Sequence, residues 1–217
     1  MRYTHKEGLR NRRTGGRKTT TLLAVFLLAG GVYMLLNTLS PMLPPSADQA
    51  QATAKRLTAE QPKANENRIY IPQINVDIPV VLANGNEAAA LEQGAVHRVP
   101  TNGDPSAGGN FVVAAHRFNI GLTPGATRAK SPFYHINLLN NGDQIYVDYE
   151  GKRYVYEIYE KDLVPPTAVE IEKRTDKPRL TMYSCELAGP AAGREVVYAK
   201  PVGTVAWSNG KPAVETL

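Results

Sequence analysis

No charged residue lies between Lys18 and Asp48, and the apolar centre of that gap, TLLAVFLLAGGVYMLLNTL at 21–39, is long enough to cross a bilayer as a helix. At 1.5 Å per helical residue, about 20 residues match a hydrocarbon core of roughly 30 Å. Residues 1–18 form a basic tail with seven Lys or Arg, among them Arg10, Arg12, Arg13, Arg17 and Lys18, and one Glu. Cationic flanks stay in the cytoplasm. The expectation is therefore a cytoplasmic tail at 1–18, a transmembrane helix at 19–40 and everything beyond on the outer side. A cleaved signal peptide is the competing reading, although its apolar region usually runs only about 7–15 residues. On either reading the remainder is exported.

The whole-chain charge of +5 invites a nucleic-acid partner, but the basic tail alone contributes +6 and leaves −1 for residues 19–217. The folded part has no cationic excess with which to neutralise phosphates, so nucleic acid is excluded as the expected partner. With 42% hydrophobic residues among 217, the chain can build one globular core beyond the helix. Cys185 is the lone cysteine. It cannot form an intramolecular disulfide, which leaves buried filler, an intermolecular link or a working thiol.

Pro41, Pro44 and Pro45 end the apolar helix, and ADQAQATAKRLTAEQPKANEN at 47–67 lacks a strong apolar face. Residues 41–67 read as a stalk, partly helical at most. From Arg68 to the end at 217 the texture changes to short apolar or alternating runs broken by Gly, Pro and Asn: RIYIP, VDIPVVL, GNFVVAAH, DQIYVDYEG, KRYVYEIYE, RLTMYSCEL and REVVYAKPVG. That spacing predicts one all-β sandwich or barrel. AAALEQGAVH and SPFYHINLLNN read as short helical or irregular connections. Two runs meet at Glu150-Gly151, which predicts a hairpin. Its tyrosines, including Tyr146, Tyr149, Tyr154, Tyr156 and Tyr159, fit half-buried sheet packing better than a stacking platform for bases or sugars.

Cys185 ends a strand-like run, Arg194 opens the next, and His116 ends a third. A hairpin between the first two would bring guanidinium and thiol together, where a fixed cation favours the thiolate and can hold an oxyanion. Imidazole titrates near neutral pH and can move the proton that acyl transfer requires. Residue types alone leave three unrelated side chains as the plainer account. Sequence likeness changes that balance. TMYSC resembles the sortase signature T-L-x-T-C, with Thr181 and Cys185 kept and Met182 and Ser184 replacing Leu and Thr. GGNFVVAAHRF at 108–118 resembles G-N-x-x-x-x-G-H-R, with Ala115 in place of Gly. Phe133, Ile136, Leu139 and Gly142-Asp143 resemble F-x-x-L-x-x-L-x-x-G-D, and IPQINVDIPVV at 71–81 resembles the family's early strand pair.

The resemblance covers about residues 68–203 and implies a closed or nearly closed β-barrel of about eight strands with short helices, its active site at one rim. It also implies a membrane-anchored transpeptidase of the bacterial surface. Cys185 would attack a carbonyl in a sorting signal, commonly Leu-Pro-x-Thr-Gly, on a surface protein or pilin. His116 would protonate the departing amine, and Arg194 would stabilise the oxyanion with support from Ser184 and Thr181. An amine on a cell-wall precursor or a pilin lysine would resolve the thioester. The chemistry requires neither metal nor organic cofactor. The segment 162–178 is expected to wall the groove for the signal.

His97, His116 and His135 fall at equal spacing, but tetrahedral metal sites usually show a close pair of ligands, so no metal site is expected. Glu170 and Glu172 read as a solvated charged loop rather than a calcium site. Two rivals remain at this stage. An L,D-transpeptidase shares the exported, β-rich, Cys-His-Arg character, but its S-x-G-C-x-R run is absent; a non-catalytic, membrane-tethered β domain would bind wall polymer or a partner.

Overall fold

The computed structural model describes residues 15–43, 47–208 and 210–216. Most of the basic tail, along with Pro44 and Pro45, lies outside the described residues. The apolar stretch forms α1 (Gly15–Leu39), which a 3₁₀ turn at Ser40–Met42 with Pro41 in its first turn brings to a close. One candidate membrane span, Thr19–Met42, is found among the described residues. Ala47–Ala59 is a second helix, α2.

The strand-rich part runs β1 (Arg68–Ile71), β2 (Val76–Leu82), α3 (Glu87–Leu91), β3 (Ala95–His97), β4 (Gly103–Asp104), β5 (Gly108–Ala114), α4 (Pro124–Ala129), β6 (Gln144–Tyr149), β7 (Lys152–Val164), β8 (Arg179–Glu186), β9 (Gly189–Ser208) and β10 (Lys211–Thr216). Pairing follows β9-β7-β6-β1-β2-β3-β5, and β8 joins β5 back to β9. Eight strands therefore close into a barrel, with β4 and β10 as additions to β5 and β9. Two pairings in the ring are parallel, β2 with β3 and β5 with β8. The β6–β7 hairpin turns at Glu150 and Gly151, both at positive φ (50° and 79°), the backbone that a tight primed turn requires. Tyr156 belongs to the core and Tyr149 and Tyr154 pack against it, as half-buried sheet residues do.

Alternation assigns each strand one inward and one outward set. Inward residues such as Ile69, Ile71, Phe111, Val113, Ile145, Val147, Ile158, Leu180 and Met182 fill the barrel, closed off by Phe133, Ile136 and Leu139. Each such buried side chain contributes about 1.5–3 kcal/mol. A second cluster of Ala168, Ile171, Val196 and Tyr198, flanked by Val164 and Tyr183, lies on the outer face of β8 and β9 beneath the segment that links β7 to β8.

α2 is bound to the barrel rather than standing as a free stalk. Arg153, 1 % exposed, donates Nε and NH2 to the two carboxylate oxygens of Asp148 (2.6 and 2.8 Å) and NH1 to the carbonyls of Arg56 and Leu57 (3.1 and 2.8 Å). Its fork thus satisfies carbonyls in the last turn of α2 while its charge is met in the sheet. Tyr70 donates to the same carboxylate (3.0 Å), and burial first, then Asp148, push its hydroxyl up to about 12.

His97 gives the fold an acid-labile point. The ring is buried edge-on to Phe111, its Nε2 is 3.0 Å from Gly103 O, and burial lowers its pKa below 6.5. Since the unfolded chain binds the proton more readily, His97 contributes stability above about pH 6.5 that is lost as pH falls below it. Thermal melting from pH 7.5 to 5 should show a falling Tm, and His97→Gln, which keeps a donor for Gly103, should flatten that slope. An unchanged slope would remove His97 from the account.

Candidate active site

Along the parallel β5–β8 ladder the register is constant, from Asn110↔Arg179 to Ala114↔Tyr183, an offset of 69 residues. Ala115 N continues it by donating to Tyr183 O (3.3 Å). The same offset, carried two residues past the last paired position, sets His116 opposite Cys185. On the other side of β8, Cys185 pairs with Arg194 of β9. Neighbouring strands lie about 4.8 Å apart, so Cys185 and Arg194 are side by side on β8 and β9, and His116, two residues past the end of β5, follows at the same end of the sheet.

They also share a face. Phe111, Val113 and Ala115 point inward, as do Leu180 and Met182 on β8 and Val197 and Ala199 on β9. Alternation therefore turns His116, Cys185 and Arg194 to the outer face, in line with Tyr183, Val196 and Tyr198 of the outer cluster. Both His116 and Cys185 are partly exposed, the imidazole 30 %.

The hairpin expected between Cys185 and Arg194 is closed by a further pair, Glu186 with Gly189. β9 begins at Gly189, opposite Glu186, and the extra residues 190–193 bulge from the ladder after Cys185↔Arg194. Arg194 NH1 donates to Pro190 O (2.7 Å) and Gly193 O (3.0 Å), which closes the bulge with its own side chain. Its Nε and NH2 make no hydrogen bond among the described residues. Gly193 sits at φ 153°, where a Cβ would lie 3.0 Å from Val164 O, so glycine lets β7 and β9 approach beside the arginine.

The two supporting hydroxyls have other partners. Ser184 points inward, 2 % exposed, and donates to Cys185 O at 3.3 Å. Thr181 shares the face of Cys185 but stands four residues along the strand, about 13 Å away, and donates to Asn110 Oδ1 at 2.6 Å. Neither is brought to the thiol. Asn110 is the hub of this region. It also accepts from Arg179 Nε (3.3 Å) and donates Nδ2 to Ile171 O and Lys173 O (2.9 and 2.8 Å), tying the linking segment to β5 and β8. Glu172 accepts from Arg98 Nε (2.9 Å) and from the Tyr183 hydroxyl, so it is engaged in the fold rather than solvated.

Glu92, at the end of α3, was not foreseen from sequence. Its Oε1 lies 3.7 Å from His116 Nε2 and accepts from Asn119 Nδ2 (2.5 Å), and its Oε2 accepts from Lys130 Nζ (2.5 Å). Lys130 is the main cause of its lowered pKa, against the opposing effect of burial. Nothing in AAALEQ announces this partner, because the pairing spans distant segments. Arg117, which the H-R motif matches without a role, is buried at the barrel end, donating to Tyr134 O and Asn137 Oδ1 (both 2.8 Å) with NH1 3.8 Å from Glu195. Burial draws its pKa below the ordinary arginine value. His97 and His135, bound to Gly103 O and Pro41 O, lie apart from the row, and no metal-holding cluster occurs among the described residues.

Asn110→Ala should destabilise the fold by roughly 2 kcal/mol, because it strands the buried Thr181 hydroxyl at ~1–3 kcal/mol and removes the bonds to Lys173 O and to Ile171 O, the latter still held by Arg179 NH2. Denaturant unfolding measures this; a loss below ~1 kcal/mol would deny Asn110 its central role.

A family model described as Sortase domain matches residues 69–202. No curated protein matches the chain. Among solved structures, the chain is similar to sortase A of Listeria monocytogenes, at TM-score 0.55 and 21% identity over 70% of this chain and 93% of that one. It is similar to sortase C-3 of Streptococcus pneumoniae, at 0.54 and 21% over 72% and 81%. It is also similar to sortase E1 of Streptomyces coelicolor, solved with a tripeptide in the active site, at 0.52 and 22% over 68% and 90%. At such identity the structural likeness establishes the fold.

Proposed function

The chain belongs to the sortase family, a family of transpeptidases, and from that premise we propose that it is a cysteine transpeptidase with Cys185 as nucleophile, His116 as proton carrier and Arg194 as oxyanion donor. The observation that carries this reading is the pairing of Cys185 with Arg194 on β8 and β9, together with the constant β5–β8 offset that ends two residues short of His116.

In the first half-reaction the Cys185 thiolate attacks the scissile carbonyl carbon of a sorting signal. The carbonyl oxygen becomes an oxyanion, to which the free Nε and NH2 of Arg194 donate. The C–N bond then breaks, the leaving amine takes a proton from His116, and a thioester remains on Cys185. In the second, an amine of a cell-wall precursor or pilin lysine attacks the thioester, His116 accepts its proton, and the thiolate departs. Glu92 lies where it favours the imidazolium formed in that step, with an effect limited by distance and exposure. Oxyanion support from Ser184 or Thr181 finds no geometric backing, since their hydroxyls serve the strand backbone and Asn110.

The linking segment, anchored at 165–178, leaves β7 at Val164, which pairs with Arg194, and re-enters at Arg179 of β8. That placement supports its role as a wall of the signal groove, with exposed Leu163 and Leu187 beside it for apolar side chains. The exposed apolar α1 supports single-pass anchoring, tail 1–18 inside and catalytic domain 68–217 outside, with 41–67 as connection.

Mixed with sorting-signal peptides, the protein should gain a thioester-linked mass on Cys185, and Cys185→Ala should abolish both cleavage and transfer at unchanged Tm. His116→Ala should nearly eliminate transfer. Arg194→Ala should lose about 10²–10³ in kcat, and Arg194→Lys should retain part of it by keeping the charge. Turnover by the Cys185→Ala protein would refute the nucleophile.

A further inference from the structure

The loop 118–123, which follows His116, carries Phe118, Ile120 and Leu122 at 39, 51 and 89 % exposure, and no charged residue occurs in 118–127. It is fastened to the end of α1. Asn37 donates Nδ2 to Gly121 O (2.8 Å) and accepts from Thr127 Oγ1 (2.5 Å), the Tyr33 hydroxyl donates to Leu122 O, and Ser40 Oγ donates to Pro124 O (2.8 Å). These bonds fix the height of the loop along the helix, level with Tyr33 to Asn37. Tyr33 precedes Leu39 by about 9 Å at ~1.5 Å per residue. Yet the chain stays apolar and uncovered past that level, at Leu39 of α1 and at Met42 and Leu43 beyond its end. A bilayer that covers Leu39 and Met42 also reaches the height of Leu122.

We infer that loop 118–123 dips into the outer leaflet and seats the barrel on the phospholipid surface beside α1, with Phe118, Ile120 and Leu122 as the inserted side chains. The inference rests on the reading of α1 as a membrane span. Its backbone is prepared for such a place: Asn119 N donates to Ser131 Oγ (3.0 Å), Gly121 N to Thr127 Oγ1 (2.9 Å), and the carbonyls of Gly121 and Leu122 are taken by α1. Backbone groups so paired need no water, and apolar side chains a few ångströms deep suit the boundary of headgroups and acyl chains. The seat also determines orientation. With His116 two residues before Phe118, the catalytic row opens close to the bilayer rather than at the far end of the barrel.

The test uses the full chain in phosphatidylcholine vesicles. Trp207 is the one native tryptophan, so emission gained by Leu122→Trp is read as a difference from the unaltered protein. In vesicles brominated on the upper acyl carbons, that added emission should be blue-shifted and largely quenched. Alkaline carbonate extraction reports the span separately: release of the chain would overturn the reading of α1, and the seat with it. Retention without quenching would overturn the seat alone. Retention without quenching, together with a dimer in detergent that Phe118→Ser/Ile120→Ser/Leu122→Ser dissociates, would assign the patch to a second copy instead.

Discussion

The parallel pairing of β5 with β8 is the contact on which the site depends. It joins segments 69 residues apart, closes the barrel, and runs on to the bond from Ala115 N to Tyr183 O, one residue before His116. Parallel ladders are slightly less stable per residue than antiparallel ones and need a long connection. Here that connection is itself tied back. Asn110 on β5 binds Thr181 on β8 and two carbonyls of the linking segment, so strand pairing and loop position are one arrangement. The β8–β9 pairing then adds Arg194 on the same face.

Polar groups are buried at two other places where an element must be held in one position. Arg153 brings Asp148 and the end of α2 together, and Asn37 joins α1 to the loop after β5. Removing one partner of such a buried ionic pair leaves an uncompensated charge at a cost of about 3–5 kcal/mol, far above what an exposed pair contributes. The helices that precede the barrel are thereby parts of its structure, each attached through a side chain with no apolar substitute.

Local signals were readable wherever the chain makes its own decision. The apolar run at 21–39 is a helix, Glu150-Gly151 is a hairpin turn, and the runs around Cys185 and Arg194 are adjacent strands. Alternating burial in β8 likewise follows the order of residues in RLTMYSCE. What sequence reading missed is non-local. Glu92 meets His116 through the placement of α3, Ser184 and Thr181 spend their hydroxyls on groups that only the folded chain supplies, and 47–59 becomes a docked helix because Arg153 awaits its carbonyls. The sortase likeness pointed to His116, Cys185 and Arg194; the β8–β9 register accounts for Cys185 lying opposite Arg194, and the β5–β8 offset for His116 following at the same end of the sheet.

The constant register of β5 against β8 has a genetic corollary. Length changes confined to the loops between Ala115 and Pro178, outside the barrel strands β6 and β7 and the core residues Phe133, Ile136 and Leu139, leave the pairing of β5 with β8 in place. A single codon lost within β8 acts differently. It would turn Cys185 from the outer face into the packed interior and bring Glu186, a carboxylate, opposite Arg194, because side chains alternate at every residue. A change of length is thus tolerated far better in those loops than in the eight residues from Arg179 to Glu186.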